Sequence, residues 1–153
     1  MRKILTAISV AAVVLLVAGA VAAGAGTELE DPEQFTVVNR PVNAVLTDTG
    51  KPGDSPGDLV TFANKLYDET NTHVVGREQG SCIRIDPAKH SNECAFTVFV
   101  EGGQITLQGP FFDTRDSVFA VTGGTGVFRN ARGVMRMHHR DDGNFDYVFK
   151  LIP

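Results

Sequence analysis

The amide side chain of Asn64 stands where it could bind a ligand. Asn64 lies in an apolar stretch, and in a strand it would share a face with Val60 and Phe62, because alternate residues of a strand point the same way. A buried amide needs hydrogen-bond partners and often orients a ligand or a water molecule. The alternative is that Asn64 caps the end of the strand and bonds to backbone groups. The first interpretation makes Asn64 a candidate site residue.

Cys82 and Cys94 are the two cysteines of the chain. Their spacing matches no zinc motif and they lack neighbouring histidine ligands, so we expect no bound metal. In an exported protein such a pair is more often joined than free, and closing a loop of this length contributes about 3 kcal/mol. We therefore predict a disulfide between Cys82 and Cys94, with a free Cys82 thiol as the alternative.

Other residues that could form a catalytic or ligand-binding site have simpler structural explanations. The segment Gly123–Phe128 lacks the Gly-Lys-Ser/Thr ending of a phosphate loop, and we predict a tight turn there. His138 and His139 are adjacent on a predicted strand, so they point to opposite faces and cannot bind one metal together. The segment Asp141–Asn144 lacks calcium-loop spacing and carries the Asp-Gly signal of a hairpin turn. The sequence has no Gly-x-Ser-x-Gly elbow that would favour a hydrolase triad.

The elements that position these residues begin after an export signal. A short positive segment, Arg2–Lys3, precedes the apolar run Ile4–Ala23, and small residues follow in Ala-x-Ala triplets. A plastid transit peptide would instead be rich in Ser and Arg. An apolar run of about 20 residues could also remain as an uncleaved anchor, which is the alternative. We predict cleavage, with residues 1–25 as signal peptide, residues 26–153 as the mature domain, and a bacterial, secreted protein without stable membrane insertion.

Charge and length limit the function classes. The formal net charge is −4, and it becomes −6 once Arg2 and Lys3 leave with the signal peptide. No basic patch exists, so we expect no nucleic-acid partner. The mature chain of about 128 residues is long enough to build one core.

The mature chain reads as short strands from end to end. Residues alternate between faces in Cys94–Val100 and again in Phe145–Leu151, and turn-forming Gly, Asp and Pro separate such runs. No segment of ten or more residues has a convincing helical period. The sequence therefore predicts an all-β fold of seven or eight strands, and an eight-stranded antiparallel β-barrel encloses room for one small ligand in a central hydrophobic cavity.

Several segments, in the same order along the chain, resemble allene oxide cyclase. Two segments that overlap with these also resemble plant dirigent proteins of the same superfamily. The resemblance covers roughly residues 57–151. The segments that resemble the cyclase are Gly57–Tyr67, Val75–Gly76, Gly80–Cys82, Gln108–Phe111 and Phe119–Phe128, and those that resemble dirigent proteins are Val75–Gly80 and Gly123–Gly133.

The resemblance implies a barrel with a hydrophobic cavity, assembled as a homotrimer or homodimer and working without a cofactor. Allene oxide cyclase closes an unstable fatty-acid epoxide to a cyclopentenone, and the pocket's shape selects the conformer that cyclises. By this resemblance Val60 and Phe62 are substrate-binding walls. Asn64 would help to hold the water that binds the epoxide oxygen, and Cys82 would line the catalytic site.

Two positions depart from the family pattern. Phe111, a candidate substrate-binding residue, stands where the family has a tyrosine, so a hydroxyl group is missing there. The first strand offers no acid in Thr36–Arg40 at the place of the family's catalytic glutamate.

Three function hypotheses follow. The first is an isomerase or cyclase that steers ring closure of a reactive hydrophobic molecule such as an oxylipin or a polyketide. The second is a dirigent-like protein that guides coupling of radicals made by a partner oxidase. The third is a non-catalytic, secreted binder of an apolar ligand. A buried polar constellation around Asn64 would favour the first, and a dry cavity lined by Phe would favour the third.

Overall fold

A computed structural model describes residues 33–152, and the predicted signal peptide lies outside them. The order of elements is a succession of strands with one short 3-10 turn, Pro87–Lys89, between the fourth and fifth. The strands are β1 (Glu33–Asn39), β2 (Ala44–Thr47), β3 (Leu59–Tyr67), β4 (Val74–Asp86), β5 (Ser91–Val100), β6 (Gly103–Phe112), β7 (Ser117–Gly126), β8 (Arg132–His139) and β9 (Phe145–Ile152).

The strands form a closed eight-stranded antiparallel barrel, as the sequence predicts. Each strand from β3 to β9 pairs with its neighbour along the chain, and β1 pairs with both β9 and β3. Closure removes the exposed edges that an open sheet would present. The ninth strand, β2, continues the wall that β1 begins, because both pair with β3.

The wall formed by β1 and β2 is interrupted at residues 40–43. Asn39 pairs with Leu66 at one end of β3, and Ala44 pairs with Phe62 nearer its other end. Pro41 lies in the interruption, where it has no backbone N–H to donate to a ladder. The interruption lies opposite Asn64, whose Oδ1 accepts a hydrogen bond of 2.9 Å from the backbone N–H of Asn43.

The tight turn predicted at Gly123–Phe128 is found only at the end of that segment, where the N–H of Phe128 donates to the backbone oxygen of Thr125 at 3.1 Å. Gly123–Gly126 is the end of β7, and the turn follows at residues 127–130. Gly124 lies so close to the backbone oxygen atoms of Gln104 and Phe128 that a side chain would collide with them. Gly124 therefore permits the close approach of neighbouring strands within the sheet.

Inward-facing side chains fill one end of the barrel completely. The strands alternate as predicted, so that in β9 Tyr147, Phe149 and Leu151 point inward and are buried. This apolar plug closes one end and leaves the other end open. Its other main members are Val37, Leu66, Val98, Ile105, Leu107, Val121 and Met135.

Within residues 33–152, no helix is long and apolar enough to cross a membrane.

Candidate active site

The open end of the barrel contains a cavity of about 190 Å³. Its walls are mainly aromatic, and the rings contact one another edge to face: Phe62 and Phe119 each pack against Phe96, with ring centroids 5.8 and 5.1 Å apart. These contacts hold the rings in fixed orientations around the space. The apolar wall residues are Val60, Phe62, Phe96, Phe111, Phe119, Met137 and Phe145.

A carboxyl group forms the polar floor of this cavity. Glu78 is 2% exposed. Its Oε1 accepts hydrogen bonds from the side-chain amide of Asn39 at 2.5 Å and from that of Asn64 at 3.0 Å. The Tyr147 hydroxyl lies beside the same carboxyl group, and all four residues line the cavity. One carboxyl, two amides and one phenol therefore meet between the apolar plug and the aromatic walls.

The second oxygen of Glu78 is unsatisfied. Oε2 is buried and makes no hydrogen bond of ordinary geometry with any described residue, the nearby Tyr147 hydroxyl included. An orphaned carboxylate oxygen in such a place costs free energy, and it can be satisfied by a donor or a cation that enters the cavity. The site thus holds an acceptor that the protein itself leaves free.

Burial controls the acidity of this group. Desolvation is the largest effect and raises the pKa of Glu78 from 4.5 to about 7, although the polar side chains of Asn64, Tyr147 and Asn39 beside the carboxyl group lower it in part. The pKa of Tyr147 is raised well above its usual value, first by burial and then by the nearby charge of Glu78. Glu78 therefore has both protonation states accessible near neutral pH, whereas Tyr147 stays protonated.

Strand register explains how distant residues meet at the floor. Asn64 in β3 and Glu78 in β4 are direct partners across the ladder, so their side chains project inward side by side. Asn39 reaches the same point because β1 ends there against β3, and Tyr147 lies on β9, the other neighbour of β1. The next inward position of β4 is Gly80, where a side chain would collide with Phe96.

The two cysteines form a disulfide in the cavity wall. Cys82 and Cys94 are direct partners of β4 and β5, with Cα atoms 4.0 Å apart, and are bonded to each other. The predicted disulfide is confirmed. Cys82 lines the cavity, but it does so as part of this bond and offers no free thiol.

A charged cluster surrounds the mouth of the cavity. Arg84 follows Cys82 on the inward row of β4 and forms ion pairs with Asp54 at 2.8 Å and Asp113 at 2.7 Å. Asn92 donates from its amide to Asp113 at 2.9 Å. Asp54 belongs to the loop between β2 and β3, which is fixed by backbone N–H groups that donate to the side chain of Asp58.

Profile comparison with protein families gives a match to allene oxide cyclase over residues 34–145. The chain belongs to the allene oxide cyclase family. The match spans nearly all of the described barrel and includes Glu78, Asn64 and the disulfide.

Solved structures with the same barrel include proteins of several activities. A protein named pyocyanin demethylase is 25% identical, with a TM-score of 0.69 over 78% of this chain and 99% of its own. A pterocarpan synthase dirigent protein is 18% identical, with a TM-score of 0.62 over 78% of this chain and 85% of its own. The Diels–Alderase AbmU from Streptomyces koyangensis is 14% identical, with a TM-score of 0.60 over 81% of this chain and 71% of its own. The last two likenesses concern the fold alone.

The structure brings the predicted site residues of this family member together around one cavity. Val60, Phe62 and Phe111 are in its wall, Asn64 is at its floor and Cys82 is on its side. The oxygen of Asn64 bonds to the backbone, as the alternative expected, while its nitrogen donates to Glu78; its role towards a ligand stays a prediction.

Sequence reasoning missed Glu78. The resemblance directed attention to the first strand, where Asn39 now proves to bind a carboxylate that comes from β4 instead. One signal in the sequence could have found it. Glu78, Gly80 and Cys82 are every second residue of one strand, so the acid lies on the same face as Cys82, a predicted lining residue.

His139 lies beside the mouth rather than at a metal site. Its ring stacks on Phe111 at a centroid distance of 6.2 Å and meets the edge of Phe145 at 4.9 Å. The neighbouring His138 pairs with Asp116 through Nδ1. The two rings thus have separate partners, although the backbone N–H of His139 also donates to Asp116, at 3.1 Å.

Proposed function

We propose that this protein is a cyclase or isomerase that binds a small hydrophobic molecule in the barrel and stabilises positive charge on it with the Glu78 carboxylate. The observation that carries the proposal is the orphaned, buried Oε2 of Glu78 at the floor of a cavity with mainly apolar walls. Family membership supports the reaction class, since allene oxide cyclase is the family matched.

The two amides bind one oxygen of the carboxylate and leave the other free. Asn39 and Asn64 both donate to Oε1, which fixes the orientation of the group and leaves Oε2 directed to a ligand. A preorganised charge in a low-dielectric site stabilises an electron-deficient transition state more than a solvated carboxylate would. Glu78 acts in its ionised form, so the rate rises with pH through a midpoint at about 7.

The walls supply orientation. A reactive molecule with several accessible conformers closes stereoselectively only if one conformer is held, and rigid walls provide that restriction. Phe62, Phe96 and Phe119 form an interlocked set in contact with the space above Glu78. We infer that these rings and Phe111 determine which face of the substrate reacts.

The floor favours an enzyme over a passive binder. An apolar ligand needs only apolar walls, whereas a buried carboxyl with a raised pKa costs stability that simple binding does not recover. The dirigent-like alternative rests on shared fold. It would require a partner oxidase to make the radicals, and the cavity itself does not favour that role.

We propose further that residues 1–25 act as a cleaved export signal and that residues 26–153 work outside the cytosol. The Cys82–Cys94 disulfide supports this location, because such bonds persist in oxidising compartments. Assembly as a homotrimer or homodimer stays a prediction from the family resemblance.

The proposal is tested with an allene oxide generated chemically in the presence of purified protein, offered as the free acid and as the methyl ester. Wild-type protein should give an excess of one enantiomer of the cyclopentenone from at least one of the two forms. Glu78→Gln should lower the catalysed rate by about 10²–10³-fold. Racemic product from both forms would overturn the cyclase assignment.

The matched control is Glu93→Gln. It makes the same chemical change on an exposed residue of β5 that pairs with Ile83 on the outside of the barrel. This variant should keep the enantiomeric excess and the rate of the wild type, which separates the effect at the floor from a general loss of negative charge.

A further inference from the structure

The charges around the cavity are predominantly negative. Glu78 lies at the floor and Asp113 at the mouth. A groove that shares Val60 and Arg84 with the cavity adds Asp48, Asp54 and Asp58. Arg84 is the single basic residue among the described residues that line either space, so five carboxyl groups stand against one guanidinium.

Arg84 is not available to an incoming anion. Its Nε pairs with Asp54 and its Nη1 with Asp113, both below 3 Å, and its side chain is only 17% exposed. A ligand carboxylate at the mouth would have to displace one of these partners and would then face the other at short range. Fatty acids carry such a carboxylate, so this mouth disfavours them.

The walls and floor favour the opposite charge. A cation within about 6 Å of an aromatic ring face is attracted by the ring quadrupole, and the attraction is larger where water is excluded. Six aromatic side chains line the cavity: Phe62, Phe96, Phe111, Phe119, Phe145 and Tyr147. Oε2 of Glu78 is the natural counter-charge, because it has no other partner among residues 33–152.

Size limits the ligand as well. A dry cavity of about 150 Å³ is enough to hold benzene. A space of about 190 Å³ therefore has room for one aromatic ring or for two fused rings. A longer molecule would have to pass its remainder through the acidic mouth.

We propose that this cavity also binds small, flat aromatic cations, with the positive charge against Glu78, and that it rejects anions of the same shape. The inference rests on the proposed function only in that it concerns the same cavity. Its test measures binding, not turnover, so each can fail without the other.

The test uses three probes of similar shape: N-methylquinolinium, 1-methylnaphthalene and 1-naphthoate. Their affinities for the purified protein are measured by isothermal titration calorimetry at pH 8.5, where Glu78 is ionised. N-methylquinolinium should bind at least tenfold more tightly than 1-methylnaphthalene, and 1-naphthoate should bind least tightly of the three. In Glu78→Gln the preference for the cation should shrink to under threefold, whereas Glu93→Gln should retain it.

The unmodified protein gives a second readout, which does not depend on how well the variant folds. Glu78 faces Asn39 from β1, Asn64 from β3, Phe96 from β5 and Tyr147 from β9, and the charged groups lining the same cavity are Arg84 and Asp113. Burial raises the pKa of Glu78 to about 7. Binding of N-methylquinolinium should therefore strengthen severalfold from pH 5.5 to pH 8.5, while binding of 1-methylnaphthalene stays constant.

Three outcomes would overturn the proposal: no binding of N-methylquinolinium, equal or tighter binding of 1-naphthoate, or a preference for the cation that Glu78→Gln leaves intact. In each case an enantiomeric excess from the allene oxide would still support the cyclase assignment.

Discussion

At the scale of single residues, burial of the Glu78 carboxyl costs stability but gives the cavity a group that can act on a ligand. The chain could have placed an apolar side chain between Asn64 and the plug and gained stability. Instead it keeps a carboxyl whose pKa is raised by desolvation and supplies two amides to hold one of its oxygens. Perturbed groups of this kind cluster at functional sites.

This residue makes stability depend on pH. The pKa of Glu78 is about 7 in the folded chain against 4.5 for the free side chain, so the folded state holds the proton more tightly. The stabilisation is complete below pH 4.5 and is lost as pH rises through 7. We expect the free energy of unfolding to fall by about 3 kcal/mol across this window on account of Glu78.

Urea titrations of wild type and Glu78→Gln at pH 4.5 and pH 8 measure that loss. The difference in stability between the two proteins cancels the contributions of the surface carboxyls, several of which titrate below their usual pKa. A difference that is the same at both pH values would contradict the raised pKa.

At the scale of elements, close approach of β4 and β5 sets the shape of the cavity. Gly80 stands opposite Phe96 in the ladder, and a methyl group on Gly80 would overlap the Phe96 side chain. Phe96 in turn contacts Phe62, Phe119 and Tyr147, so its displacement would reach both the walls and the floor.

We expect Gly80→Ala to destabilise the protein by about 1–3 kcal/mol, the usual cost of overpacking a core, and to weaken binding in the cavity. Urea denaturation measures the first effect and calorimetry with N-methylquinolinium the second. The neighbouring Ser81→Ala, whose side chain lies on the outer face, is the control and should change neither. Wild-type stability in Gly80→Ala would contradict the close packing described for this position.

Some of these site residues could be predicted from the sequence alone, and others could not. Strand alternation was enough to place Val60, Phe62 and Asn64 on the inner face of β3, since parity needs no knowledge of neighbours. The floor required knowledge of register, because Glu78 becomes a candidate only when β4 is seen to lie beside Asn64. The interruption at Pro41 and the strand at Gly123–Gly126 likewise depend on pairing partners, which local composition does not specify.

At the scale of the whole molecule, one end of the barrel is filled by the apolar plug and the other, open end contains the cavity. Closure of the sheet holds the floor residues, which come from β1, β3, β4 and β9, in one place. The disulfide joins β4 and β5 beside the open end, and both cysteines belong to the same hydrophobic core as the plug. The core that stabilises the barrel therefore continues into the walls of the cavity.

Removal of the disulfide measures its contribution to stability. Closing a loop with a sequence separation of 12 stabilises a fold by about 3 kcal/mol, so the double variant Cys82→Ala, Cys94→Ala should lose about that much. Urea denaturation at pH 8 measures the loss. Thiol titration of the native wild type should find no free cysteine, and two free thiols would contradict the bond.

The central claim is that a carboxyl group with a strongly raised pKa forms the floor of the cavity. The most direct measurement is a ¹³C NMR titration of the glutamate side-chain carboxyl carbons, with Glu78 assigned from the signal missing in Glu78→Gln. We expect a midpoint of about 7 for Glu78. A midpoint near the ordinary value of 4.5 would contradict it.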